Sequence, residues 1–449
     1  MGWDHGFDDR VANHEVVIGV VGLGYVGLPT ALGFYHSGFT IWGIEVSNNR
    51  LSDLLQQKNP IREKLYDNSI PPPNDERWNL TDSYSKAIPQ CDVVIVTVPT
   101  PVSEEKRIDP RFVIDAGKSI FSNIKSESKT IVILESTVYP GLTRELWIPL
   151  IEDCNLSLGP DLELAYCPER YSPGDTSRGI DEISRIIGAI NPAVGNSLIP
   201  LYGELTNEKV YFVGDLEVAE SAKLIENVQR DINIALVNEL ATILPKLGVD
   251  IEEVLDAASS KWNFHRYTPG VGVGGHCIPV DPYFLINQAQ LNNSPVNLIS
   301  SGRKINTNMP IFVADEIHQI LKGRAATDGK RKILIFGWSY KPEIGDTRGS
   351  PSKHLGEELS RLGHEIHCWD SFVDSGEYPD WVLAVERIED IRDFDIVILA
   401  TAHKEFLDLD WSRLMQIMRD PVVYDARRCL PLSDLKEMGW EVFAIGMPN

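Results

Sequence analysis

A glycine-rich turn near the N-terminus constrains the fold of this chain more than any other segment. A β-branched run at residues 16–21 leads directly into G-L-G-Y-V-G at residues 22–27, and a helical pattern follows. In a strand–turn–helix unit, the first glycine permits the tight turn, the second lets backbone approach a pyrophosphate, and the third lets helix and strand pack closely. The segment therefore predicts a dinucleotide-binding domain. The turn residues expected to contact the cofactor are Gly22, Gly24, Tyr25, Val26 and Gly27.

An acidic residue after the next strand indicates which dinucleotide binds. The strand predicted at residues 40–44 is followed by Glu45, which lies 23 residues after Gly22. A carboxylate in this position accepts a hydrogen bond from a ribose 2′-OH and repels a 2′-phosphate. We therefore expect NAD rather than NADP, and the alternative is a glycine turn that serves packing alone.

Short apolar runs alternate with helical stretches in two parts of the chain. This alternation is typical of a parallel, doubly wound sheet whose strands are buried on both faces. The strands predicted after the first two lie at residues 93–98, 131–134, 332–336, 364–369, 395–400 and 422–426. A long helix predicted over residues 216–247 separates the two parts, with Asp215 before it and Gly248 after it.

The predicted fold class is therefore α/β, with two Rossmann-like doubly wound domains joined by a long central helix and a helical connector domain. We expect a cofactor domain at residues 1–214, a central helical domain at 215–325 and a second Rossmann-like domain at 326–449. The length agrees with this division, because domains average roughly 150 residues.

Charge and cysteine content exclude several classes of function. The chain carries 42 Lys and Arg against 65 Asp and Glu, a formal charge of −23, whereas nucleic acids and anionic membranes attract clustered basic residues. We expect neither as a partner, although a few cations in one cleft can still bind a small anion. The six cysteines form no C-x-x-C pair and no zinc-site spacing, so we expect free thiols, no metal and a cytoplasmic location.

A second glycine-rich segment surrounds one of the cysteines. P-G-V-G-V-G-G-H-C occupies residues 269–277, and Asp281 follows four residues after Cys277. Bare backbone N–H groups in such a segment can hold a substrate or an oxyanion, and a thiolate there can act as a nucleophile. Cys277 is thus either a nucleophile or a small apolar residue packed in a loop, and we do not assign His276 as a base.

Two further groups of residues have side chains suited to catalysis or to substrate binding. Lys223, Asn227 and Arg230 are spaced i, i+4 and i+7 on the long helix, so they share a face, and the first two can stabilise an oxyanion. In the C-P-E-R motif, Glu169 can activate water and Arg170 can contact a substrate. The alternatives are a solvated helix face and a simple surface ion pair.

Seven motifs follow one another along the chain. They are G-L-G-Y-V-G-L at 22–28, V-P-T-P at 98–101, E-S-T-V-Y-P-G at 135–141, C-P-E-R at 167–170, A-E-S-A-K-L-I-E-N at 219–227, G-V-G-G-H-C at 272–277 and Y-K-P-E-I-G-D-T-R at 340–348. In this order they resemble the UDP-glucose/GDP-mannose dehydrogenase family, the NAD-dependent nucleotide-sugar 6-dehydrogenases. The resemblance runs nearly from end to end.

The resemblance implies a four-electron oxidation of the C6 hydroxyl of a UDP-sugar, with NAD as the cofactor. It implies that Cys277 attacks the intermediate aldehyde to form a thiohemiacetal, which is oxidised to a thioester and hydrolysed. Lys223 and Asn227 match the family's oxyanion-stabilising pair. Asp281 matches the carboxylate that transfers a proton through water, and Glu169 matches the residue that assists hydrolysis.

The resemblance also implies binding residues and an assembly. Thr100 and Thr137 match positions near the nicotinamide, and the domain at 326–449 matches the one that binds the UDP-sugar. The residues expected to contact the substrate are Arg170, Tyr171, Arg230, Gly274, Tyr340, Lys341 and Arg348. The long helix matches the element around which family members dimerise, so we expect a homodimer or a higher homo-oligomer.

The motifs do not decide which sugar the UDP-sugar substrate carries. C-P-E-R and residues 260–264 look like the N-acetylhexosamine branch, toward UDP-N-acetylglucosamine, whereas the glycine–cysteine segment is closer to UDP-N-acetylmannosamine enzymes. We expect UDP-GlcNAc, with UDP-ManNAc, UDP-GalNAc or UDP-glucose as alternatives, and a uronic acid product used in surface polysaccharide. A non-catalytic sugar-nucleotide sensor and a simple two-electron dehydrogenase are the other candidates. The first would tolerate loss of Cys277, and the second would not need it.

Overall fold

A computed structural model of the chain shows two compact units. One comprises residues 1–226 with 283–288, and the other comprises residues 227–282 with 289–449, so their boundary falls inside the long helix. The residues that the structure describes are 6–61, 66–67, 69–103, 106–170, 180–322, 324, 330–387 and 390–448.

The first unit is built on a mostly parallel sheet, and most of its strands are buried. They are β1 (Val17–Val21), β2 (Thr40–Ile44), β3 (Trp78–Thr81), β4 (Val93–Val96), β5 (Thr130–Leu134), β6 (Leu162–Tyr166), β7 (Arg185–Ala189) and β8 (Val210–Gly214). The sheet order in the described residues is β3-β2-β1-β4-β5-β6-β7-β8, with β6 and β7 antiparallel. In β1, Ile18 and Val20 pack in one apolar core and Val21 in another, so both faces are covered.

Helices alternate with these strands. They are α1 (Phe7–Ala12), α2 (Gly27–His36), α3 (Asn48–Leu55), α4 (Tyr84–Ala87), α5 (Arg111–Phe121), α6 (Leu142–Asp153) and α7 (Pro192–Gly203), and α8 (Leu216–Ile243) begins in this unit. Short 3₁₀ turns lie at Ile88–Gln90 and Ile180–Glu182. Local sequence explains several helix starts: α7, for example, begins at Pro192, because the side chain of Asn191 accepts from the N–H of Ala193 at 3.0 Å.

The second unit contains a parallel sheet. Its strands are β9 (Lys332–Phe336), β10 (Glu365–Trp369), β11 (Val382–Ala384), β12 (Ile396–Leu399), β13 (Val422–Asp425) and β14 (Glu441–Ala444). They lie in the order β11-β10-β9-β12-β13-β14 within the described residues. The remaining helices are α9 (Ile251–Ser259), α10 (Asp281–Leu291), α11 (Asn297–Lys322), α12 (Pro351–Arg361), α13 (Lys404–Leu407), α14 (Trp411–Ile417) and α15 (Leu432–Met438), with 3₁₀ turns at Leu244–Leu247 and Ser375–Glu377.

The predicted α/β class and the two doubly wound sheets are confirmed. The strands β2 and β9 have the predicted bounds, and the other predicted strands differ by one or two residues at one or both ends. The helix predicted over residues 216–247 is α8 followed by a 3₁₀ turn, which ends at Gly248 with a φ of +75°. The domain boundaries at residues 214 and 325 stay predictions.

Each sheet has a topological switch point, where the chain order of neighbouring strands reverses. It lies between β1 and β4 in the first unit and between β9 and β12 in the second. A glycine in the left-handed region follows the first strand of each pair, Gly22 with φ +90° and Gly337 with φ +89°. Thr97 Oγ1 donates to the carbonyl oxygen of Gly22 at 2.6 Å, and a Cβ on Gly337 would lie 2.3 Å from the Cβ of Thr401. Ligands of open α/β sheets bind in the crevice at such points.

Candidate active site

The glycine turn after β1 has the geometry of a pyrophosphate-binding loop. The helix α2 begins at Gly27, where a Cβ would lie only 2.0 Å from the carbonyl oxygen of Gly22. At Gly24 the space around a Cβ position is open to 4 Å among the described residues, so a ligand can approach the backbone. Tyr25 is exposed and Val26 is half-buried. The N-terminus of α2 carries partial positive charge, which favours a bound anion.

Glu45 lies beside this turn, as the sequence predicts. Its nearly buried carboxylate accepts from the N–H groups of Leu23 (3.0 Å) and Ser47 (2.8 Å) and from Nη1 of Arg50 (3.0 Å). These donors fix the carboxylate at the carboxyl end of β2, the position from which an acid reaches the ribose of a dinucleotide.

The loops after β4 and β5 bring two predicted cofactor residues together. Thr100 Oγ1 donates to the carbonyl oxygen of Thr137 at 2.7 Å. These threonines, the glycine turn and Glu45 all follow the carboxyl ends of neighbouring strands. The residues predicted for the cofactor therefore lie along a single edge of the first sheet.

Glu169 and Arg170 are adjacent in the sequence but have different ion-pair partners. Glu169 is buried and lies 2.6 Å from Nη1 of Arg185, a fully buried residue at the start of β7. The guanidinium of Arg170 pairs with Glu226 on α8 at 2.6 Å. The predicted substrate residue Tyr171 lies outside the described residues.

A buried acid next to Glu169 was missed in the sequence. Glu135 follows β5 and accepts from the hydroxyls of Tyr202 (2.7 Å) and Thr30 (3.5 Å). Burial raises the pKa of Glu135 to about 7, against the positive charge of Arg185, which lowers it. The available signal was a glutamate directly after an apolar strand, at the first position of the E-S-T motif.

Cys277 ends the second glycine-rich segment and has an exposed side chain. Its carbonyl oxygen accepts from the N–H groups of Val280 (3.0 Å) and Asp281 (2.8 Å), so the chain turns directly into α10. Burial raises the pKa of the Cys167 and Cys368 thiols well above the ordinary value, which keeps them protonated. Cys277 differs from these two thiols in being open to a reactant.

Asn227 and Asp281 meet at the turn after Cys277. Asn227 Nδ2 donates to Oδ2 of Asp281 at 2.5 Å, and the aspartate is buried at the first position of α10. The amide therefore fixes the orientation of the carboxylate. Lys223 lies one turn earlier on α8 and is buried, and it forms no ion pair with any residue in the described part of the chain.

The glycine–cysteine segment packs against the loop that follows β9. A Cβ on Gly275 would lie 2.8 Å from Cε2 of Tyr340, and one on Gly274 would lie 2.6 Å from the Cβ of Tyr340. The ring of His276 meets that of Tyr340 edge-on, with centroids 6.4 Å apart, and its Nε2 lies 3.3 Å from Nη2 of Arg348. Two motifs that are distant in the sequence thus form one surface of the second unit.

The charged residues of that loop are held by local pairs. Arg348 is exposed and forms hydrogen bonds of 2.9 and 2.7 Å with the carboxylate of Asp346. Burial and the charge of Arg348 both lower the pKa of His276, which favours the neutral ring. Lys341 is half-buried in the same loop, and Arg230 is exposed on α8.

Among the described residues, no group of three or more His, Cys, Asp or Glu side chains is arranged to hold a metal ion. In the same part of the chain, no single helix is long and apolar enough to cross a membrane. One helix pair, Leu216–Leu247 with Ile251–Ser259, meets that criterion by length and composition only, and it is bent by 118°.

Comparison with known proteins decides the family. The UDP-glucose/GDP-mannose dehydrogenase family matches in three successive parts: its NAD binding domain at residues 16–206, its central domain at 217–308 and its UDP binding domain at 334–431. The chain belongs to this family. It is therefore an NAD-dependent nucleotide-sugar dehydrogenase, and the resemblance seen in the motifs is confirmed.

Similar dehydrogenases span nearly the whole chain. The UDP-N-acetyl-D-glucosamine 6-dehydrogenase of Pseudomonas aeruginosa is 34% identical over 424 residues, covering 93% of this chain and 97% of that protein. The UDP-N-acetyl-D-mannosamine dehydrogenase of Methanocaldococcus jannaschii is 30% identical, covering 95% and 96%. A solved structure of the UDP-D-ManNAc dehydrogenase from Pyrococcus horikoshii has a TM-score of 0.85 at 29% identity, covering 96% and 99%.

The site of this dehydrogenase fits NAD on structural grounds. The open backbone at Gly24, the N-terminus of α2 and the fixed carboxylate of Glu45 supply what a pyrophosphate and a ribose require. These residues would hold the cofactor, which would accept hydride.

A chain of buried polar side chains supports the cysteine loop, and it was missed in the sequence. The N–H of Gly270 donates to Oδ1 of Asn238 (2.9 Å), whose Nδ2 donates to Oδ1 of Asn306 (2.9 Å). Asn306 Nδ2 donates to Asp231 (2.8 Å), which also pairs with Arg303 (2.5 Å). The contributing residues lie on α8 and α11, so no local pattern reveals the connection.

Proposed function

We propose that this dehydrogenase oxidises the C6 hydroxyl of a UDP-N-acetylhexosamine to the uronic acid. Within this class, UDP-GlcNAc is the substrate that we propose. The observation that carries the proposal is the turn from Cys277 to Asp281, where an exposed thiol precedes a buried carboxylate fixed by Asn227. A dehydrogenase that stops at the aldehyde needs no nucleophile. The names of the relatives above, which specify UDP-GlcNAc and UDP-ManNAc, support an N-acetylhexosamine.

The first oxidation converts the C6 alcohol to an aldehyde. The hydroxyl proton passes through water to Asp281, and the hydrogen on C6 leaves as hydride. NAD supplies the hydride acceptor for this oxidation and the next. Lys223 and Asn227 stabilise the negative charge on the sugar oxygen, since a buried ammonium and an amide donor act strongly away from water.

Cys277 retains the aldehyde for the second oxidation. Its thiolate adds to the carbonyl carbon, and the new C–S bond gives a thiohemiacetal whose C–H can still leave as hydride. Loss of that hydride leaves a thioester. Water then attacks with the help of Glu169, the C–S bond breaks, and the thiol is restored. Each turnover consumes one water and yields two NADH.

Cys277→Ser tests the covalent steps. We expect uronate formation to fall by a factor of roughly 10³ or more, as happens when an enzyme loses its nucleophile. Wild-type enzyme should form two NADH per uronate. The matched control is Cys429→Ser, because Cys429 is also exposed. Uronate production at the wild-type rate by Cys277→Ser would contradict the covalent mechanism.

The sugar is identified by comparing substrates. Steady-state assays with UDP-GlcNAc, UDP-ManNAc, UDP-GalNAc and UDP-glucose should give the highest kcat/KM with an N-acetylhexosamine. A highest value with UDP-glucose would make the protein a UDP-glucose 6-dehydrogenase instead. Tyr340, Lys341 and Arg348, together with Arg170, Tyr171, Arg230 and Gly274, are the residues proposed to contact these substrates.

We also propose that the enzyme works in the cytoplasm and that its domains lie at residues 1–214, 215–325 and 326–449.

A further proposal is a homodimer or higher homo-oligomer formed around α8. On α8, Ile225 and Leu236 expose 58% and 55% of their surfaces in the single chain. Apolar side chains exposed along one element favour a protein interface. Light scattering should show a dimer or larger species, and Leu236→Glu should shift it toward monomer. A monomeric wild-type enzyme would contradict this assembly.

A further inference from the structure

The switch point of the second sheet is occupied by a histidine. Ser339 follows β9 and His403 follows β12, the two neighbouring strands between which the chain order reverses. His403 is fully buried, and Phe372 stacks on its ring with centroids 4.8 Å apart and planes 19° apart. A buried imidazole at the place where α/β sheets bind ligands requires a physical reason.

The hydrogen bonds of His403 determine its tautomer. Nδ1 accepts from the backbone N–H of Glu343 at 2.9 Å, so this nitrogen carries the lone pair. The proton therefore resides on Nε2, which lies 3.1 Å from Oδ2 of Asp370 and 3.1 Å from Oγ of Ser339. Both ring nitrogens are therefore engaged in hydrogen bonds. Their partners lie in one segment of the chain, residues 339–343, and in Asp370 beside it.

Further hydrogen bonds fix the start of the same segment. Asp370 Oδ2 also accepts from the N–H groups of Trp338 (2.7 Å) and Ser339 (2.9 Å). Thr401 Oγ1 donates to the carbonyl oxygen of Ser339 at 2.6 Å. Ser339 Oγ donates to the carbonyl oxygen of Lys341 at 3.2 Å. His403 joins the start of the segment at Ser339 to its end at Glu343.

A serine, a histidine and an aspartate in contact could suggest a nucleophilic triad. In a triad the serine and the acid occupy opposite nitrogens of the imidazole. Here Ser339 and Asp370 both face Nε2, and Ser339 is fully buried. The arrangement therefore orients backbone rather than activating a hydroxyl.

We propose that His403 is a positioning residue, which holds Tyr340 and Lys341 in the conformation that binds the nucleotide of the substrate. The inference rests on the proposed function, because it assigns these two residues to the UDP-sugar. They lie between the two ends that His403 joins, and Tyr340 also packs against bare backbone at Gly275. Fixing the segment thereby fixes one wall of the cysteine loop as well.

UDP binding by the full-length enzyme tests this role without relying on turnover. His403→Phe keeps the ring and its stacking but loses both hydrogen bonds, so calorimetry should show UDP affinity at least about tenfold weaker. The KM for the UDP-sugar should rise by the same factor, with kcat and the KM for NAD within about twofold. In His403→Asn the amide oxygen can replace Nδ1 toward Glu343, and most of the affinity should return.

The matched control is His364→Phe. His364 is a buried histidine before β10, at the opposite edge of the same sheet, and it bonds His318 at 3.0 Å. This control should bind UDP like the wild type. Unchanged UDP affinity in folded His403→Phe, or in His403→Gln if the phenylalanine variant does not fold, would overturn the positioning role. Wild-type enzyme that fails to bind UDP would instead overturn the proposed function.

Discussion

Replacing Glu135 with glutamine should change how the stability of the enzyme depends on pH. The carboxyl of Glu135 is buried, accepts from Tyr202 at 2.7 Å and lies near the ion pair of Arg185 with Glu169. Burial raises its pKa from an ordinary value of 4.5 to about 7, with Arg185 opposing and Glu169 adding to the rise. The folded protein therefore keeps this proton at pH values where the unfolded chain has lost it.

The sign and size of the effect follow from that difference. Stability contributed by a raised carboxyl pKa is lost as pH rises from the unfolded value to the folded one, and the cost is complete above about pH 7. Raising the pKa of Glu135 from 4.5 to about 7 corresponds to about 3 kcal/mol in total. About 2 kcal/mol of this falls between about pH 5.5 and about pH 8.5. Glutamine has no proton to lose. Across that pH range, the free energy of unfolding of Glu135→Gln should therefore rise by about 2 kcal/mol relative to that of wild type.

Urea unfolding of both proteins across that pH range measures the difference directly. Working above about pH 5.5 also avoids the region of lowest solubility, because the sequence pI is about 4.8. Glu152→Gln, an exposed position on α6, controls for the loss of one carboxylate from the same unit. Parallel stability curves for wild type and Glu135→Gln would refute the assignment of a protonated Glu135.

Two further substitutions test the cofactor turn and the buried ion pair. Gly27→Ala places a methyl 2.0 Å from the carbonyl oxygen of Gly22, so NADH affinity measured by fluorescence should fall at least about tenfold. Gly203→Ala, at an open position on α7, should bind normally, and equal losses would argue against a steric cause. Arg185→Met should cost about 3–5 kcal/mol in urea unfolding, because it strands the buried carboxylate of Glu169. Recovery of part of that loss by Glu169→Gln is expected, and a loss below about 1 kcal/mol would contradict the pairing.

Much of the fold was predictable because its causes are local. Strands buried on both faces are runs of β-branched and other apolar residues, so β2 and β9 have the bounds predicted from sequence. The glycine turn at residues 22–27 is equally local, since its spacing reflects a tight turn followed by close packing of helix on strand. The residues proposed for the cofactor were found for the same reason.

The contacts of the candidate site were not predictable in the same way. Glu169 and Arg170 are chain neighbours, and sequence alone offered an ion pair between them. The structure instead pairs Glu169 with Arg185 and Arg170 with Glu226, which are 16 and 56 positions away. The link from His403 to the Tyr340 loop joins two strands that are neighbours only in the sheet.

Periodicity and turn chemistry depend on near neighbours in the chain, and they determined the α/β class, the NAD turn and the glycine-framed Cys277. Pairing of charges and hydrogen bonds depends on distance through space, so only the tertiary structure decided which acid is buried, which amide orients Asp281 and which side chain bridges a loop. The raised pKa of Glu135 belongs to this second group, since it arises from burial beside Tyr202 and Arg185, which are distant from it in the chain.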